Sequence, residues 1–302
     1  MVCINQVGNK YQIAEETTYG TLPSPFTSLD YGQVQTVSVT EEENIEKLSS
    51  INGGHTANRF EDGLYFTNVS INTRVTKASM PNLLKACFGG YSDDGTDYTV
   101  TSTPVSVSHS LKVTYDATSI LEITGLVVKD FEFSFSKGEI VSCTMNCLAK
   151  KVIKKSETLT VTANSDPIFK DLDTAVTIGG NGFVLNSASI SGNWNVTDDE
   201  GRGIESVPEG ERRLLQRVCW HNFDVSGSYE AEFDDNLEVG YTDERSDESI
   251  VFTMSRGTDN EHVFTLSQTR SSSRGYEFNT DNARKVESFD YEALDCVVTG
   301  DL

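Results

Sequence analysis

The two halves of the chain carry the same succession of predicted strands, long polar segment and further strand. This repeat constrains the fold more than any other feature. Val69 in the first half aligns with Val225 in the second at an offset of 225 − 69 = 156, about half of the 302 residues. A repeat of this length predicts two tandem copies of one β unit, over residues 1–152 and 153–302. Two unrelated β domains with similar alternation would give much the same pattern.

Strict alternation of apolar and polar residues is the dominant local signal and predicts a mainly β chain of sandwich or barrel type. It is clearest at residues 131–135, 229–233 and 289–291. Glycine- and acid-rich turns separate these runs. Among them, Lys137-Gly138-Glu139 predicts a hairpin between residues 131–135 and 140–148.

One helix is well marked, and it follows the second predicted strand of the first half. Ser79 can cap it, Pro81 fits its first turn and Gly89-Gly90 ends it. The corresponding segment of the second half, residues 234–240, predicts a weaker helix or turn. Residues 211–218 could form another short helix.

Two long polar segments, residues 41–62 and 195–211, occupy equivalent places in the two halves. A long loop that recurs at one position of a β scaffold is often an arm that contacts a partner. A surface loop without a partner is the alternative. The lysine-rich residues 150–155 lie near the expected junction of the units and are interpreted as a solvated linker.

Composition limits the classes of function. The formal charge is 24 − 46 = −22, which argues against a surface that grips nucleic acid but not against one that nucleic acid must pass without sticking. The beginning of the chain lacks the basic and apolar regions of a signal peptide, so cytoplasmic synthesis is the default expectation. The six cysteines are scattered without a CxxC pair, and we expect them to be reduced.

Catalytic and metal-binding signals are poor. The four histidines are isolated, which makes a zinc site improbable. Residues 179–182 precede a predicted strand rather than a helix, so they read as a turn and not as a phosphate loop. The acidic residues 93–97 lack the spacing of a calcium loop. We therefore expect no cofactor, no metal and no enzymatic activity.

Residues 11–21, YQIAEETTYGT, and residues 124–141, which include the predicted hairpin, carry a family resemblance. They resemble the tail tube proteins of long-tailed phages and related archaeal tailed viruses, as does the order of strand, long segment, strand and helix. The resemblance implies a structural virion protein whose barrel units dock side by side, in stacked rings around a DNA-conducting channel. A carbohydrate-binding β-sandwich of a viral fibre or surface layer is the alternative function.

The resemblance also implies partners and a location. Six barrel units per ring would need three chains if the duplication holds and six otherwise. The rings would stack on themselves and on other tail proteins, and double-stranded DNA would pass through the lumen without specific binding. The protein would be made in the host cytoplasm, without a membrane partner, and would end in the virion tail.

Two groups of residues are candidates for these roles. The candidates to face the lumen are acidic residues that flank the predicted inner strands: Glu132, Glu139, Glu230, Glu232, Asp290 and Glu292. Alternation places Glu132 and Glu230 opposite the apolar faces of their strands, but that face could be lumen or outer solvent. The candidates for contacts between rings lie in the two long segments: Glu41, Glu42, Glu43, Ile51, His55, Arg59, Asp198, Asp199, Glu200 and Arg202.

Overall fold

A computed structural model describes residues 10–48, 59–104, 107–161, 166–183, 185–196, 215, 218–232, 248–256, 261–278 and 285–302. Within these ranges the chain is mainly β, as predicted from its alternation. The described residues form 17 antiparallel strands, one α-helix and one 3-10 turn.

The elements of the first half are β1 (Tyr11–Glu15), β2 (Gln33–Leu48), β3 (Arg59–Arg74), α1 (Met80–Phe88), β4 (Gly89–Asp93), β5 (Asp97–Ser102), β6 (His109–Thr114), β7 (Ile120–Ser136), β8 (Ser142–Ala149) and β9 (Lys151–Lys155). Those of the second half are a 3-10 turn (Asp171–Asp173), β10 (Thr174–Ile178), β11 (Asn181–Phe183), β12 (Leu185–Asn193), β13 (Asp224–Glu232), β14 (Glu248–Ser255), β15 (Glu261–Phe278), β16 (Lys285–Ala293) and β17 (Asp295–Asp301).

Eight of these strands form a central sheet that runs through both halves, in the order β2-β3-β8-β7-β12-β13-β16-β15. The first four strands come from the first half and the last four from the second. The two sets join where β7 pairs with β12, with Phe133 opposite Ile190. The hairpin predicted around Lys137-Gly138-Glu139 is confirmed as the β7–β8 pair.

Two further sheets flank the central one, because β7 and β15 are long enough to leave it and enter a second sheet. The N-terminal part of β7 belongs to the order β1-β6-β7-β9. The N-terminal part of β15 belongs to the order β11-β10-β14-β15-β17-β5-β4. Each long strand has a residue of positive φ between its two parts, Gly125 at +68° and Gln268 at +53°.

The core lies between the central sheet and the flanking elements, and it is shared by the two halves. Alternation turns Phe131, Phe133 and Phe135 of β7 towards this core, where each is at most 5% exposed. The Phe133 ring lies 5.3 Å from that of Phe264 in β15, between ring centroids. Since one connected apolar cluster includes strands from both halves, the halves do not bury separate cores.

The predicted helix α1 is confirmed, with Pro81 in its first turn and Gly89 at its end in a positive-φ conformation. Ser79 does not cap the helix through its side chain as expected. Its hydroxyl instead bonds the backbone of Thr76, accepting from N–H and donating to C=O. The Trp194 indole N–H donates to the Cys87 carbonyl at 2.7 Å and so satisfies one of the helix's last C=O groups.

Two predictions about segments were wrong. Residues 41–48 and 59–62, expected in a loop, continue β2 and β3 as paired strands. Residues 151–155, expected in a linker, form β9 and pair with β7, while Lys155 and the buried Glu122 form an ion pair at 2.7 Å. A unit boundary at residue 152 would thus divide β9. The second-half helix at residues 234–240 falls outside the described residues, as does most of the segment 211–218.

Candidate functional site: the polar face of the central sheet

The central sheet has an apolar face against the core and a second face, here called the polar face, that is lined by polar side chains across all eight strands. One row of directly opposed residues crosses the sheet from end to end. In strand order this row is Thr36, Asn72, Thr144, Glu132, Ser191, Ser226, Glu292 and Arg270. None of these eight residues is buried.

Three neighbouring rows repeat this character. Towards one end of the strands lies the row Arg74, Ser142, Ser134, Ser189, Ser228, Asp290 and Ser273, and beyond it the row Ser136, Ser187, Glu230 and Ser288. Towards the other end lies the row Ser38, Ser70, Asn146, Asp130, Asn193 and Asp224. The polar face is therefore continuous across the junction between the halves.

Hydroxyls and amides hold this surface in place between the strands. Asn146 Nδ2 donates to Asp130 Oδ1 at 2.6 Å, and Asn72 Nδ2 donates to Thr144 Oγ1 at 2.8 Å. Short side chains of this kind leave the backbone close to the surface and make few contacts with a passing partner. The four rows contain no aromatic side chain. A pocket lies on this face, and its lining includes Ser38, Ser70, Lys129, Asp130 and Asn146.

The charge of the polar face is negative. Its four rows contain six carboxylates, Asp130, Glu132, Asp224, Glu230, Asp290 and Glu292, against Arg74 and Arg270, so the formal charge is 2 − 6 = −4. Fixed negative charge repels a phosphate backbone over roughly one Debye length, about 8–10 Å at physiological salt. Such a face does not attract nucleic acid.

Four of the six candidate lumen residues meet on this face: Glu132, Glu230, Asp290 and Glu292. Glu139 does not, because it lies exposed in the turn that links β7 to β8. Glu232 ends β13 opposite Val286, and its side chain lies outside the described part of the structure.

Sequence reasoning missed Asp130 and Asp224, together with the serine lining. The signal was present in β12, where Ser187, Ser189 and Ser191 alternate with apolar residues. Serine is not one of the β-branched or aromatic residues that are enriched in strands, so this run was a weaker strand signal than the aromatic alternation of β7.

A second feature is a two-stranded ribbon that projects beyond the sheet. The pairing of β2 with β3 continues from Glu42 opposite Phe66 to Leu48 opposite Arg59, whereas β8 pairs with β3 only over Thr67–Arg74. Seven residues of strand extend about 23 Å. We call these residues, 42–48 and 59–66, the ribbon.

The structure places part of the second candidate group in or beside this ribbon. Glu41, Glu42 and Glu43 are exposed residues of β2, and Arg59 begins β3. The rest of that group, Ile51, His55, Asp198, Asp199, Glu200 and Arg202, lies outside the described residues.

The segment that carried the family resemblance is organised around a buried carboxylate, Glu16, which is 6% exposed. It accepts hydrogen bonds from the N–H groups of Gly20 at 2.7 Å and Gly125 at 2.8 Å. The hydroxyls of Ser108 and Ser110 also donate to it, each at 2.5 Å. Glu16 thereby ties the loop after β1 to the bend of β7, which is a structural role.

Two histidines are buried in the core of the described part of the chain. Burial lowers the pKa of His262 to about 4, and Tyr98 Oη lies 2.7 Å from its Nδ1. Burial likewise lowers the pKa of His109 to about 4. Among the described residues, no group of three His, Cys, Asp or Glu side chains could hold a metal ion. The five cysteines in those ranges are free thiols.

The fold and this surface define a class: a mainly β protein with a broad, acidic sheet face and a projecting strand ribbon. A family model described as phage tail tube protein matches residues 8–293. The chain therefore belongs to the phage tail tube protein family, and it is a structural tail tube subunit. A search of curated proteins gave no match.

Membership of this family implies self-assembly into a tube with other tail proteins, and a place in the virion tail. No finding favours the carbohydrate-binding alternative. Within the described residues, no helix is long and apolar enough to cross a membrane.

Proposed function

We propose that the chain forms rings around a DNA channel, that the polar face lines this channel, and that each chain contributes two copies of one β unit. The observation that carries the proposal is the continuous acidic face of a sheet that crosses both halves. The role is structural, and we assign the chain no catalytic activity. Synthesis would take place in the host cytoplasm.

The two halves pair their strands in the same way, which supports the duplication. In the central sheet, β2-β3-β8-β7 corresponds to β12-β13-β16-β15. In the flanking sheets, β1-β6-β7-β9 corresponds to β10-β14-β15-β17. With β9 as the last strand of the first unit, the boundary would fall after residue 155 instead of residue 152.

Irregularities in the long strands repeat as well. Positive φ occurs at Gly125 in β7 and at Gln268 in β15, an offset of 268 − 125 = 143. A bulge leaves Lys129 of β7 and Ser272 of β15 without an opposed residue, again at 272 − 129 = 143. Two unrelated domains would not be expected to repeat both the bend and the bulge at one spacing, because bulges are specific local features of a strand pair.

The size of the channel favours three chains per ring. Each chain supplies the eight strands of its central sheet. A barrel built from two chains would have sixteen strands and a backbone diameter of about 32 Å, at a strand spacing of about 4.8 Å and a strand tilt of about 40°. Side chains reduce this to about 22 Å, which leaves only about 1 Å on each side of a duplex about 20 Å wide, too little for its hydration shell. Three copies supply 24 strands and a diameter of about 48 Å at the backbone, which admits hydrated DNA.

Native mass spectrometry and negative-stain imaging of the purified protein test this assembly. Since one chain has a mass of 33.2 kDa, a ring of three has a mass of about 100 kDa. Stacked rings of that mass support the proposal. Rings of six chains would contradict the stoichiometry, and a protein that stays monomeric at high concentration would contradict ring formation.

Charge reversal tests the assignment of the polar face. Virions that carry Glu132→Lys, Glu230→Lys and Glu292→Lys should assemble tubes but eject DNA more slowly, most clearly at low salt, because phosphate would then be attracted to the wall. Glu139→Lys is the matched control, since Glu139 is exposed but lies off the face. Ejection at the wild-type rate from the triple variant would assign this face to the outside.

We also propose that the ribbon contacts a neighbouring subunit or ring. A two-stranded hairpin is marginally stable alone in water, so a ribbon of this length is better explained by a surface to rest on. Replacing residues 44–63 by Asn-Gly should leave a folded protein that forms rings but no tubes, as judged by circular dichroism and electron microscopy. Normal tubes from this variant would show that the ribbon has no part in stacking.

A further inference from the structure

We propose that β15 of one copy pairs antiparallel with β2 of the next copy, in a register that places Tyr276 opposite Val39 and Glu277 opposite Ser38. The proposal rests on the proposed ring. It goes further by naming the two strands that close the ring and the residues that oppose each other. The starting observation is the junction within one chain, where β7 of the first unit pairs with β12 of the second.

The two strands in question lie at the two ends of the central sheet. At one end β2 pairs with β3, and at the other the C-terminal part of β15 pairs with β16. Across eight strands these ends lie about 34 Å apart along the sheet, so one chain cannot join its own ends. Long sheet edges favour pairing with another chain, and closure of a barrel removes such edges.

The repeat makes β2 the counterpart of β12. Each strand has a bulge near its start, at Gln35 between Val34 and Thr36 and at Asn186 between Leu185 and Ser187. The residues after the bulges, Thr36 and Ser187, oppose Asn72 and Glu230. The neighbouring strands β3 and β13 are therefore related by 230 − 72 = 158.

A different part of the sheet gives the same alignment. The bulge of β7 at Lys129 precedes Asp130, which opposes Asn146, and Asn146 in turn opposes Ser70. The bulge of β15 at Ser272 precedes Ser273, whose row continues through Asp290 to Ser228. The offset is again 228 − 70 = 158. It differs by two residues from the 156 expected from sequence, and this preserves the face on which each side chain lies.

Transfer of the internal junction then fixes the register between copies. Asp130, Glu132, Phe133, Ser134 and Phe135 of β7 oppose Asn193, Ser191, Ile190, Ser189 and Ala188 of β12. Residues of β7 correspond to residues of β15 that are 143 positions later. Residues of β12 correspond to residues of β2 that are 151 positions earlier, since the bulges at Asn186 and Gln35 give 186 − 35 = 151. Applying these two offsets to the internal junction gives the pairs between copies. These are Ser273–Glu42, Gly275–Thr40, Tyr276–Val39, Glu277–Ser38 and Phe278–Val37.

The residue types agree with this register, although they played no part in deriving it. Val37 and Val39 pack against the core, and the register sets them opposite Phe278 and Tyr276. Ser38, Thr40 and Glu42 are exposed and stand opposite Glu277, Gly275 and Ser273. A slip of one residue would place Ser38 opposite Tyr276 or Phe278, so the pattern selects against it.

The charges agree as well, since Glu41 falls opposite Arg274 in this register. Opposite charges at directly opposed positions favour a strand pair, and like charges disfavour it.

Paired cysteine substitutions test the register with matched controls. In a Cys3→Ser, Cys219→Ser background, the in-register combinations are Ser38→Cys with Glu277→Cys and Glu42→Cys with Ser273→Cys. The crossed combinations, Ser38→Cys with Ser273→Cys and Glu42→Cys with Glu277→Cys, use the same four positions. They place the thiols about 13 Å apart, beyond the reach of a disulfide.

Mild oxidation of assembled tubes, followed by denaturing electrophoresis without reductant, should convert most of each in-register variant into covalent multimers. The crossed variants should stay mainly monomeric.

The register is overturned if the crossed variants cross-link, or if none of the four variants cross-links although tubes form. Either result leaves the proposed function intact. If none of the four variants assembles while the Cys3→Ser, Cys219→Ser parent does, Glu277→Gln and Ser38→Thr tubes imaged by electron microscopy decide whether these positions tolerate any change. If the parent itself forms no tubes, the proposed ring fails and the register fails with it. A covalent ladder that ends at six chains keeps the register and overturns the count of three.

Discussion

The two halves share a pairing scheme but differ in what their first hairpins do beyond the sheet. In the first half, β2 and β3 continue past the last partner of β8 and form the ribbon. Among the described residues of the second half, β12 and β13 pair from Leu185 opposite Ala231 to Asn193 opposite Asp224, and β12 contacts β7 over most of that length. The part of each hairpin inside the sheet is constrained by neighbours on both sides, whereas the ends are free to diverge. This is the expected division between scaffold and contact surface.

The halves also differ in how they fasten their flanking sheets. The first half uses the buried Glu16 carboxylate, with four donors around it. Ile13 opposes Leu111 in the first half, and Ile178 opposes Ile250 at the equivalent place in the second. Since 178 − 13 = 165, the residue that corresponds to Glu16 is Asn181, which is exposed. Near the junction, Trp194 packs on Phe223 at 4.3 Å between ring centroids and bonds the end of α1. The two halves share their strand pairing but differ in the side chains that hold their flanking sheets in place.

The largest expected effect comes from Phe133→Ala, which would test whether the halves unfold together. Phe133 is fully buried, and its ring lies against Phe264 of the other half. We expect a loss of about 3–5 kcal/mol in the free energy of unfolding, from lost burial and the remaining cavity. Chemical denaturation followed by circular dichroism and tryptophan fluorescence should show one shifted transition in both signals.

Ser134→Ala, one residue along on the polar face, is the control and should change stability by less than about 0.5 kcal/mol. If Phe133→Ala splits the transition into two, the halves are independent domains and the comparison above must be redrawn.

Acid should weaken the protein through one buried histidine in each half. The pKa values of His109 and His262 are lowered to about 4 mainly by burial, from 6.5 in the unfolded chain. The unfolded state therefore binds more protons between these values. The free energy of unfolding is therefore highest above pH 6.5, where both histidines are neutral in both states. It falls as the pH drops towards 4, by up to about 3 kcal/mol per histidine.

Unfolding free energies measured from pH 7 to pH 4.5 would show this dependence. The slope of unfolding free energy against pH is proportional to the number of protons taken up on unfolding. His109→Asn and His262→Asn should each lower that number by about one, and the double variant should lower it by about two. A change from only one of the two variants would mean that the measured transition reports on one half alone.

Glu16→Gln should cost about 2–3 kcal/mol, because an amide cannot accept from all four donors and leaves buried groups unsatisfied. The matched change in the second half, Asn181→Ala, removes an exposed side chain and should shift the midpoint of thermal unfolding very little. Equal shifts for the two variants would mean that Glu16 and Asn181 contribute equally to stability, and that the two halves do not differ in this respect.

Sequence reasoning succeeded where local pattern decides the structure. The alternation of Phe131, Phe133 and Phe135 predicted the core face of β7, and Pro81 and Gly89 marked α1. It failed at residues 41–48, whose acidic side chains have low strand propensity, because pairing with β3 overrides that preference. The β7–β12 junction was beyond its reach, since no local signal specifies which distant strand edge a given edge will meet. Four of the six predicted acidic lining residues fall on one face because face follows from parity within a strand.

The smallest expected effect concerns the bend that both long strands share. Gly125 takes positive φ without strain, whereas Gln268 holds a left-handed conformation that favours glycine. Gln268→Gly should relieve local strain but add freedom to the unfolded chain, so the net gain should not exceed about 1 kcal/mol. Gly125→Ala should instead be clearly destabilising, because a Cβ there would lie 2.6 Å from Cβ of Lys150 as well as in a strained conformation. Thermal unfolding of both variants should thus shift in opposite directions. Two shifts of the same sign would mean that the bends are not equivalent, and the offset of 143 on which the register between copies depends would lose one of its two supports.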